Sequence, residues 1–245
     1  MTSLDGTPVT DERPRNRLLA RCGPSDYARL HPHLKPVFLP QEFVLYASRG
    51  PMDFVYFPES GVASLVVTMA NGKTAEVGTV GNEGFVGLPV LFGESVAHVG
   101  VFMQVPGTGL RVPSVVFRNE LQRSETLRNL FFNYAGAFFN QTAQSAACAF
   151  LHSLEQRCCR WLVATADRMP SEQFALTQEF FAMMLGVRRS SISVVMGNLQ
   201  RRGLVRYSRG RVTILDRKSL QAMACECYHV IKAEAKRPFA EDRRV

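Results

Sequence analysis

The spacing of apolar residues changes character along the chain. Between residue 34 and about residue 112 they come in short runs rich in Val, Phe and Tyr, broken by Pro, Gly and Asn: LKPVFLP, EFVLYA, FVYFPESG, VASLVVTMANGK, TAEVGTV, HVGVFMQV and GLRV. Runs of this length bounded by turn residues predict seven or eight strands, with Asn71-Gly72 as a hairpin turn, forming a small antiparallel roll whose sheets face one another. Inside the roll, residues 81–94 (GNEGFVGLPVLFGE) do not alternate and predict a glycine-lined loop with a short helical turn. Ahead of it, residues 16–22 and 24–31 predict two short helices, preceded by a polar opening of about 14 residues.

From residue 113 to about 169 the period becomes helical, with Gly136 as the one interior glycine. Leu127, Phe131, Tyr134 and Phe138 follow a four-three-four step, while Phe132, Ala135 and Phe139 mark a second apolar side. A helix apolar on two faces needs two partners. One is the roll; the other is most economically the same helix of a second subunit, so Leu127, Phe131, Tyr134 and Phe138 are assigned to a dimer helix. A helix buried within one monomer is the alternative, because periodicity does not identify the partner. The apolar face thins around residues 151–155, and residues 154–168 read as a new helix carrying Trp161 and Leu162 into a second core. This places a hinge and a boundary, dividing the chain into 15–152 and 153–235.

Met169-Pro170-Ser171 closes that helix, and LTQEFFAMMLGVRRSSISVVMGNLQRRGLVRYSRGRVTIL follows. Thr177 caps one helix, Phe181, Met184 and Leu185 form its apolar side, and Gly186 ends it. In the next helix Ile192, Val195, Met196 and Leu199 repeat at helical spacing, which turns Arg189, Ser190, Ser193 and Asn198 to solvent; Gly203 stops it. The runs LVRY and RVTIL, separated by Ser208-Arg209-Gly210, predict a hairpin beside the helix pair. Residues 217–235 read as a final helix, and the last ten residues are polar. The fold class is therefore α+β: an N-terminal antiparallel, jelly-roll-like β-roll, a long dimerisation helix, and a C-terminal winged helix-turn-helix domain.

Charge sharpens this division. Residues 1–150 hold 12 basic and 12 acidic side chains, whereas 151–245 hold 17 and 9, so the formal charge of +8 resides in the second part. Arg188, Arg189, Arg201, Arg202, Arg206, Arg209 and Arg211 lie between residues 180 and 215 with no Asp or Glu among them. Such a surface suits phosphate. No nucleophile, base and orienter stand in a recognisable motif and there is no phosphate-binding Walker loop, so an enzyme is not expected. No apolar run is long enough to span a bilayer and the polar opening lacks the core of a signal peptide, so a cytoplasmic protein with no membrane partner is expected. The six cysteines, Cys22, Cys148, Cys158, Cys159, Cys225 and Cys227, form no paired CxxC knuckles and are expected to be reduced structural thiols. For Cys225-x-Cys227-x-His229 no metal is expected, because residues two apart on a helix diverge.

A roll, a long helix, a hinge and a winged helix-turn-helix in this order resemble the Crp/Fnr family of bacterial transcription regulators. The stretch from Leu176 carries the resemblance most specifically, through its Thr-capped helix, glycine turn, Arg/Ser-rich second helix and L-x-x-x-G-L exit. GNEGFVGLPVLFG is similar to the loop that cradles the ligand phosphate in the cyclic-nucleotide-binding members, which places the effector pocket at Glu83, Gly84, Phe85, Gly87, Leu88 and His98. In those members the loop continues Gly-Glu, and an Arg-Ser pair follows about ten residues later. Here Gly87 precedes Leu88, and Ser95-Val96-Ala97-His98 stands where the pair would fall. A buried phosphate without a cation is costly, so cyclic AMP is not expected to bind in the usual way. The iron–sulfur members carry closely spaced N-terminal cysteines; only Cys22 precedes residue 148 here, so no such cluster is expected.

The resemblance implies a homodimer on double-stranded DNA, with RNA polymerase as a further partner. The second helix of the pair would enter the major groove, with Arg189, Ser190 and Val194 at the bases and Thr177, Arg188, Ser191, Arg201, Arg209 and Arg211 at phosphates. Other members often place Glu and Arg where Ser190 and Val194 stand, so a different, near-palindromic operator is expected. The competing expectation is a ligand- or metal-sensing module whose winged domain mainly contacts protein. The signal, the target genes and the choice between activation and repression leave no mark on the sequence.

Overall fold

The computed structural model describes residues 13–169 and 171–239. The expectations for the first twelve residues, for Pro170 as a helix terminator and for the last six residues lie outside the described residues. The chain enters through α1 (Arg17–Arg21) and α2 (Pro24–Leu30). Asn16 caps α1, its Oδ1 accepting from the Leu19 amide, while its Nδ2 donates to the carbonyls of Pro58 and Gly84 at 2.9 and 2.7 Å. One fully buried carboxamide thus starts a helix and fixes it to the roll.

Seven strands build the roll: β1 (Lys35–Leu39), β2 (Val44–Tyr46), β3 (Phe54–Pro58), β4 (Val62–Thr68), β5 (Thr74–Val80), β6 (Gly100–Val105) and β7 (Gly107–Pro113). They pair antiparallel in two sheets, ordered β1-β7-β3 and β2-β6-β4-β5. The β4–β5 turn contains Asn71-Gly72, and Gly72 has φ +78°, as the hairpin reading requires. Between β5 and β6, residues 81–99 form a long connection joined to β3 by the Tyr56–Val86 bridge, and within it Leu88–Phe92 form the expected helical turn, of the 3-10 type.

The helical run beyond the roll is three helices, α3 (Ser114–Arg123), α4 (Glu125–Leu151) and α5 (Leu154–Ala166). Serines make the breaks. Ser124 Oγ accepts from the Leu127 amide, and Ser153 forms a reciprocal capping box with Gln156. The roll core is an aromatic cluster: the rings of Phe57, Phe85, Phe117 and Phe131 lie 4.8–6.0 Å apart, one each from β3, the 81–99 loop, α3 and α4. This corrects the assignment of the dimer helix. Leu127, Phe131 and Tyr134 are buried in the core of their own chain and Phe138 packs against it. The opposite side of α4 is the open one, with Phe132, Phe139 and Phe150 exposed at 41, 71 and 89%.

The C-terminal part comprises β8 (Gln173–Ala175), α6 (Gln178–Leu185), α7 (Arg189–Arg201), β9 (Val205–Ser208), β10 (Arg211–Ile214), α8 (Arg217–Met223) and α9 (Cys227–Glu234). Its sheet is ordered β8-β10-β9, so the hairpin carries a third strand that was not anticipated. Trp161, Leu162, Phe181, Ile192, Met196, Leu199, Val212 and Leu220 fill the core. The single final helix expected over 217–235 is two, because Ala224 adopts an extended conformation (ψ 149°) and ends α8. Among the described residues no single helix is long and apolar enough to cross a membrane.

Candidate nucleic-acid interface and sensor pocket

The axes of α6 and α7 diverge by 110°, within the range of a helix-turn-helix. Thr177 Oγ1 accepts the Phe180 amide at 3.1 Å and starts α6. Gly186, at φ +66°, ends it, and the Val187 amide returns to the Ala182 carbonyl at 3.0 Å. The turn thereby aims α7 across α6. Ile192, Val195, Met196 and Leu199 face the core, so the helical period exposes Arg189, Ser190, Ser193, Val194 and Arg201 on one continuous face. The Ser193 hydroxyl donates to Gln178 Oε1 at 2.5 Å and ties the two helices together across that face.

Arg188 is the N-cap of α7 and supplies no side-chain acceptor, which leaves the amides of Arg189 and Ser190 without a capping side chain. Ser191 is half-buried. Arg209, at φ +48°, occupies the exposed turn between β9 and β10, and Arg211 is exposed on β10. Among the described residues, no carboxylate pairs with Arg188, Arg189, Arg201, Arg206, Arg209 or Arg211, whereas Arg202 faces Glu155 at 3.4 Å. Of the residues assigned to bases and phosphates, Arg188, Arg189, Ser190, Val194, Arg201, Arg209 and Arg211 are exposed, and Arg202 is turned toward α5.

The pocket within the roll is a cavity of about 220 Å³. Leu65, Val80, Phe85, Leu88, Val101 and Phe138 dominate its wall, to which no Arg or Lys contributes among the described residues. Phe85, Gly87, Leu88 and His98 line it as assigned. The His98 ring is largely exposed and lies 3.9 Å from Glu94. Glu83 and Gly84 do not line it, which corrects two of the six assignments. Gly84 is pressed beneath Tyr134, where a Cβ would come 2.2 Å from the phenol oxygen, and Glu83 turns outward to Arg168.

That turn creates a junction between the two parts that was not visible in the sequence. Arg168, just beyond α5, donates from Nη2 to Glu83 Oε1 at 2.6 Å and from Nη1 to Thr79 Oγ1 at 2.8 Å. Burial pushes the Glu83 carboxyl up, but the Arg168 guanidinium and the Gly81 amide outweigh it and hold the carboxyl below its ordinary value. Beside this pair, Glu76 of β5 accepts from the Trp161 indole at 3.1 Å and from the Ser64 hydroxyl at 2.6 Å. Burial raises its carboxyl to about 7 against the pull of both donors. Phe102 of β6 meets Phe180 of α6 edge to face, with ring centres 5.7 Å apart, so the winged domain rests on the four-stranded sheet.

Residues 36–124 match the cyclic nucleotide-binding domain family, and residues 156–223 match the Crp-like helix-turn-helix domain family; together they span well over half of the chain. No curated protein matches the chain. Among solved structures, a protein from Eubacterium rectale assigned to the crp/fnr family of transcriptional regulators is similar with a TM-score of 0.67 at 16% identity, over 85% of this chain and 98% of that one. FixK2 from Bradyrhizobium japonicum is similar with a TM-score of 0.67 at 11% identity, over 78% and 98%. The c-di-GMP responsive global regulator CLP from Xanthomonas campestris follows with 0.57 at 17%, over 78% and 98%. At these identities the likeness concerns the fold. Taken with the two family matches and the open arginine face of α7, it shows that this chain is not an enzyme but a member of the Crp/Fnr family of transcription regulators, with a helix-turn-helix DNA-binding domain at its C-terminal end.

Proposed function

We propose that this regulator is a cytoplasmic homodimer that reads a near-palindromic duplex site through α7 and responds to a signal other than cyclic AMP. The observation that carries the reading is the exposed arginines of α7 and the β9–β10 hairpin, of which Arg189, Arg201, Arg206, Arg209 and Arg211 form no ion pair among the described residues. Arg189 is its chief base reader, because a guanidinium presents two parallel donors to guanine O6 and N7. Ser190 and Val194 lie beside it on the exposed face, and Val194, 63% exposed, suits a thymine methyl. Thr177, Arg188, Ser191, Arg201, Arg209 and Arg211 set register on phosphates, helped by the uncapped amides at the start of α7.

The second copy is supplied by the open side of α4. Phe132, Phe139, Ala143, Ala146 and Phe150 lie there at seven-, four-, three- and four-residue steps, the spacing of a coiled-coil seam, and Phe92 extends it by packing on Phe132 at 5.9 Å. Three exposed phenylalanines on one helix favour an interface over a solvated face. A two-fold seam of this kind sets two α7 helices about 34 Å apart, one duplex turn. RNA polymerase is the further partner this architecture serves.

Titrating labelled duplexes bearing one or two half-sites, at several salt concentrations, tests the reading. The affinity should fall log-linearly with salt and should favour the two-half-site duplex. Absence of binding to a bacterial promoter pool at low salt would overturn it in favour of a winged domain that contacts protein.

A further inference from the structure

Cys148 and His152 stand four residues apart at the end of α4, with His152 as its C-cap, so both lie on the same side of the helix. The expectation that Cys225 and Cys227 diverge on one helix does not apply. Ala224 is extended, Glu226 is the N-cap of α9 and Cys227 is its first residue, so the two cysteines flank a turn. Across the α4–α9 contact the Sγ atoms of Cys148 and Cys225 are 3.5 Å apart, and Cys227 Sγ is 3.6 Å from His152 Nδ1. All four donor atoms fall within 4.8 Å of one another. Zinc bonds of about 2.3 Å to sulfur and 2.0 Å to nitrogen make tetrahedron edges of about 3.5–3.8 Å, close to these separations. Four donors this close suit one ion and leave no room for a multi-iron cluster.

The surroundings have the same chemistry. His152 Nε2 lies 3.1 Å from Glu226 Oε1, an arrangement that puts the ring proton on Nε2 and presents the Nδ1 lone pair to the sulfurs. Gln144 Nε2 donates to Cys227 Sγ at 3.0 Å and fixes the position of that sulfur. The three cysteines are buried and form a small cluster separate from both hydrophobic cores. Cysteines that serve only as small hydrophobes would account for each thiol singly, but not for an imidazole oriented onto three of them by a carboxylate.

We propose that Cys148, His152, Cys225 and Cys227 form a closed tetrahedral site for a single zinc-class divalent ion. Three thiols lose their protons to the solvent as the ion binds, leaving a net charge of −1 on the site, which lies within the field of Arg160. His152 is one of two residues between α4 and α5, and Cys225 and Cys227 flank the α8–α9 turn. The ion therefore fastens the end of α4 to the closing helices of the winged domain.

Full-length protein purified under reducing conditions, stripped with a chelator and titrated with Zn2+ or Co2+ tests the site. One ion per chain, the intense visible absorption of tetrahedral Co2+–thiolate, release of up to three protons and a raised unfolding temperature are expected. Cys148→Ser and His152→Ala should lose the cobalt spectrum, and His229→Ala should keep it. Glu226→Gln, at an exposed side chain that the fold does not need, should bind Zn2+ about 10- to 100-fold more weakly while unfolding as the stripped wild type does. A pale octahedral spectrum, unchanged uptake by His152→Ala, or a Cys148–Cys225 disulfide whose reduction restores no metal uptake would each overturn the proposal.

Discussion

Glu83, in the loop that resembles a phosphate cradle, holds Arg168 of the C-terminal part at 2.6 Å, with both side chains largely buried. The carboxylate of the sensor loop is thus engaged by the far end of α5 and is not presented to the roll cavity. The ion pair ties residues 81–94 to the residue that follows α5. Removing one partner of a buried pair strands the other charge. Glu83→Ala should therefore cost about 3–5 kcal/mol in urea unfolding, and the double variant Glu83→Ala with Arg168→Met less than the sum of the two. Additive losses would show that the two side chains act independently.

Glu76 adds a pH dependence. Its carboxyl is raised from 4.5 to about 7 in the folded chain, so the folded state favours the protonated form. Its contribution is complete below the unfolded value and is lost as pH rises through about 7. Stability should decline between about pH 5 and 8, and Glu76→Gln should flatten that slope and gain about 1–3 kcal/mol at the alkaline end. The guanidinium groups of Arg160 and Arg168 face the same carboxyl, while Glu83, held below its ordinary value, titrates below this window. An unchanged slope in thermal melts of Glu76→Gln would assign the effect elsewhere.

Arg189→Ala should remove about 1–3 kcal/mol of discrimination between operator variants while preserving weak, salt-sensitive binding to all of them. Equal loss on every sequence would move Arg189 to the phosphate contacts.

On α4, Phe139→Glu should give a monomer by light scattering whose unfolding midpoint no longer rises with protein concentration, since the side chain is 71% exposed and serves the seam alone. Leu127→Ala, on the opposite side and 1% exposed, should instead cost about 2–5 kcal/mol of stability. A wild-type monomer at high concentration would remove the seam.

Cyclic AMP should leave the unfolding temperature unchanged. Among the described residues the cavity wall offers no Arg or Lys to its phosphate, and a ligand that binds only the folded state must raise apparent stability. A shift of several degrees would mean that the pocket holds the nucleotide by contacts other than an ion pair.

The helix-turn-helix was legible because its signals are local. Thr177 caps, Gly186 turns, and Ile192 to Leu199 repeat within a dozen residues, so neighbouring side chains alone specify where each element starts, stops and faces. The strands of the roll and the Asn71-Gly72 turn were legible for the same reason. The break before α5 was legible in the thinning apolar face at residues 151–155; the break at Ser124 also carried a local signature, and there the long helical period concealed it.

The sequence by itself therefore determined most of the elements and their order, the basic face and the family they resemble, but not β8, the break between α3 and α4 or the division of the last helix. Tertiary structure decided which apolar side of α4 is core, because Leu127 and Phe131 on one side and Phe132 and Phe139 on the other satisfy the same period. It also decided partners far apart in the chain: Glu83 with Arg168, and Cys148 and His152 with Cys225 and Cys227. Periodicity and capping act over one or two turns, whereas these pairs, some 70 to 85 residues apart, meet only when helices pack, so their chemistry belongs to the fold and not to any one stretch of it.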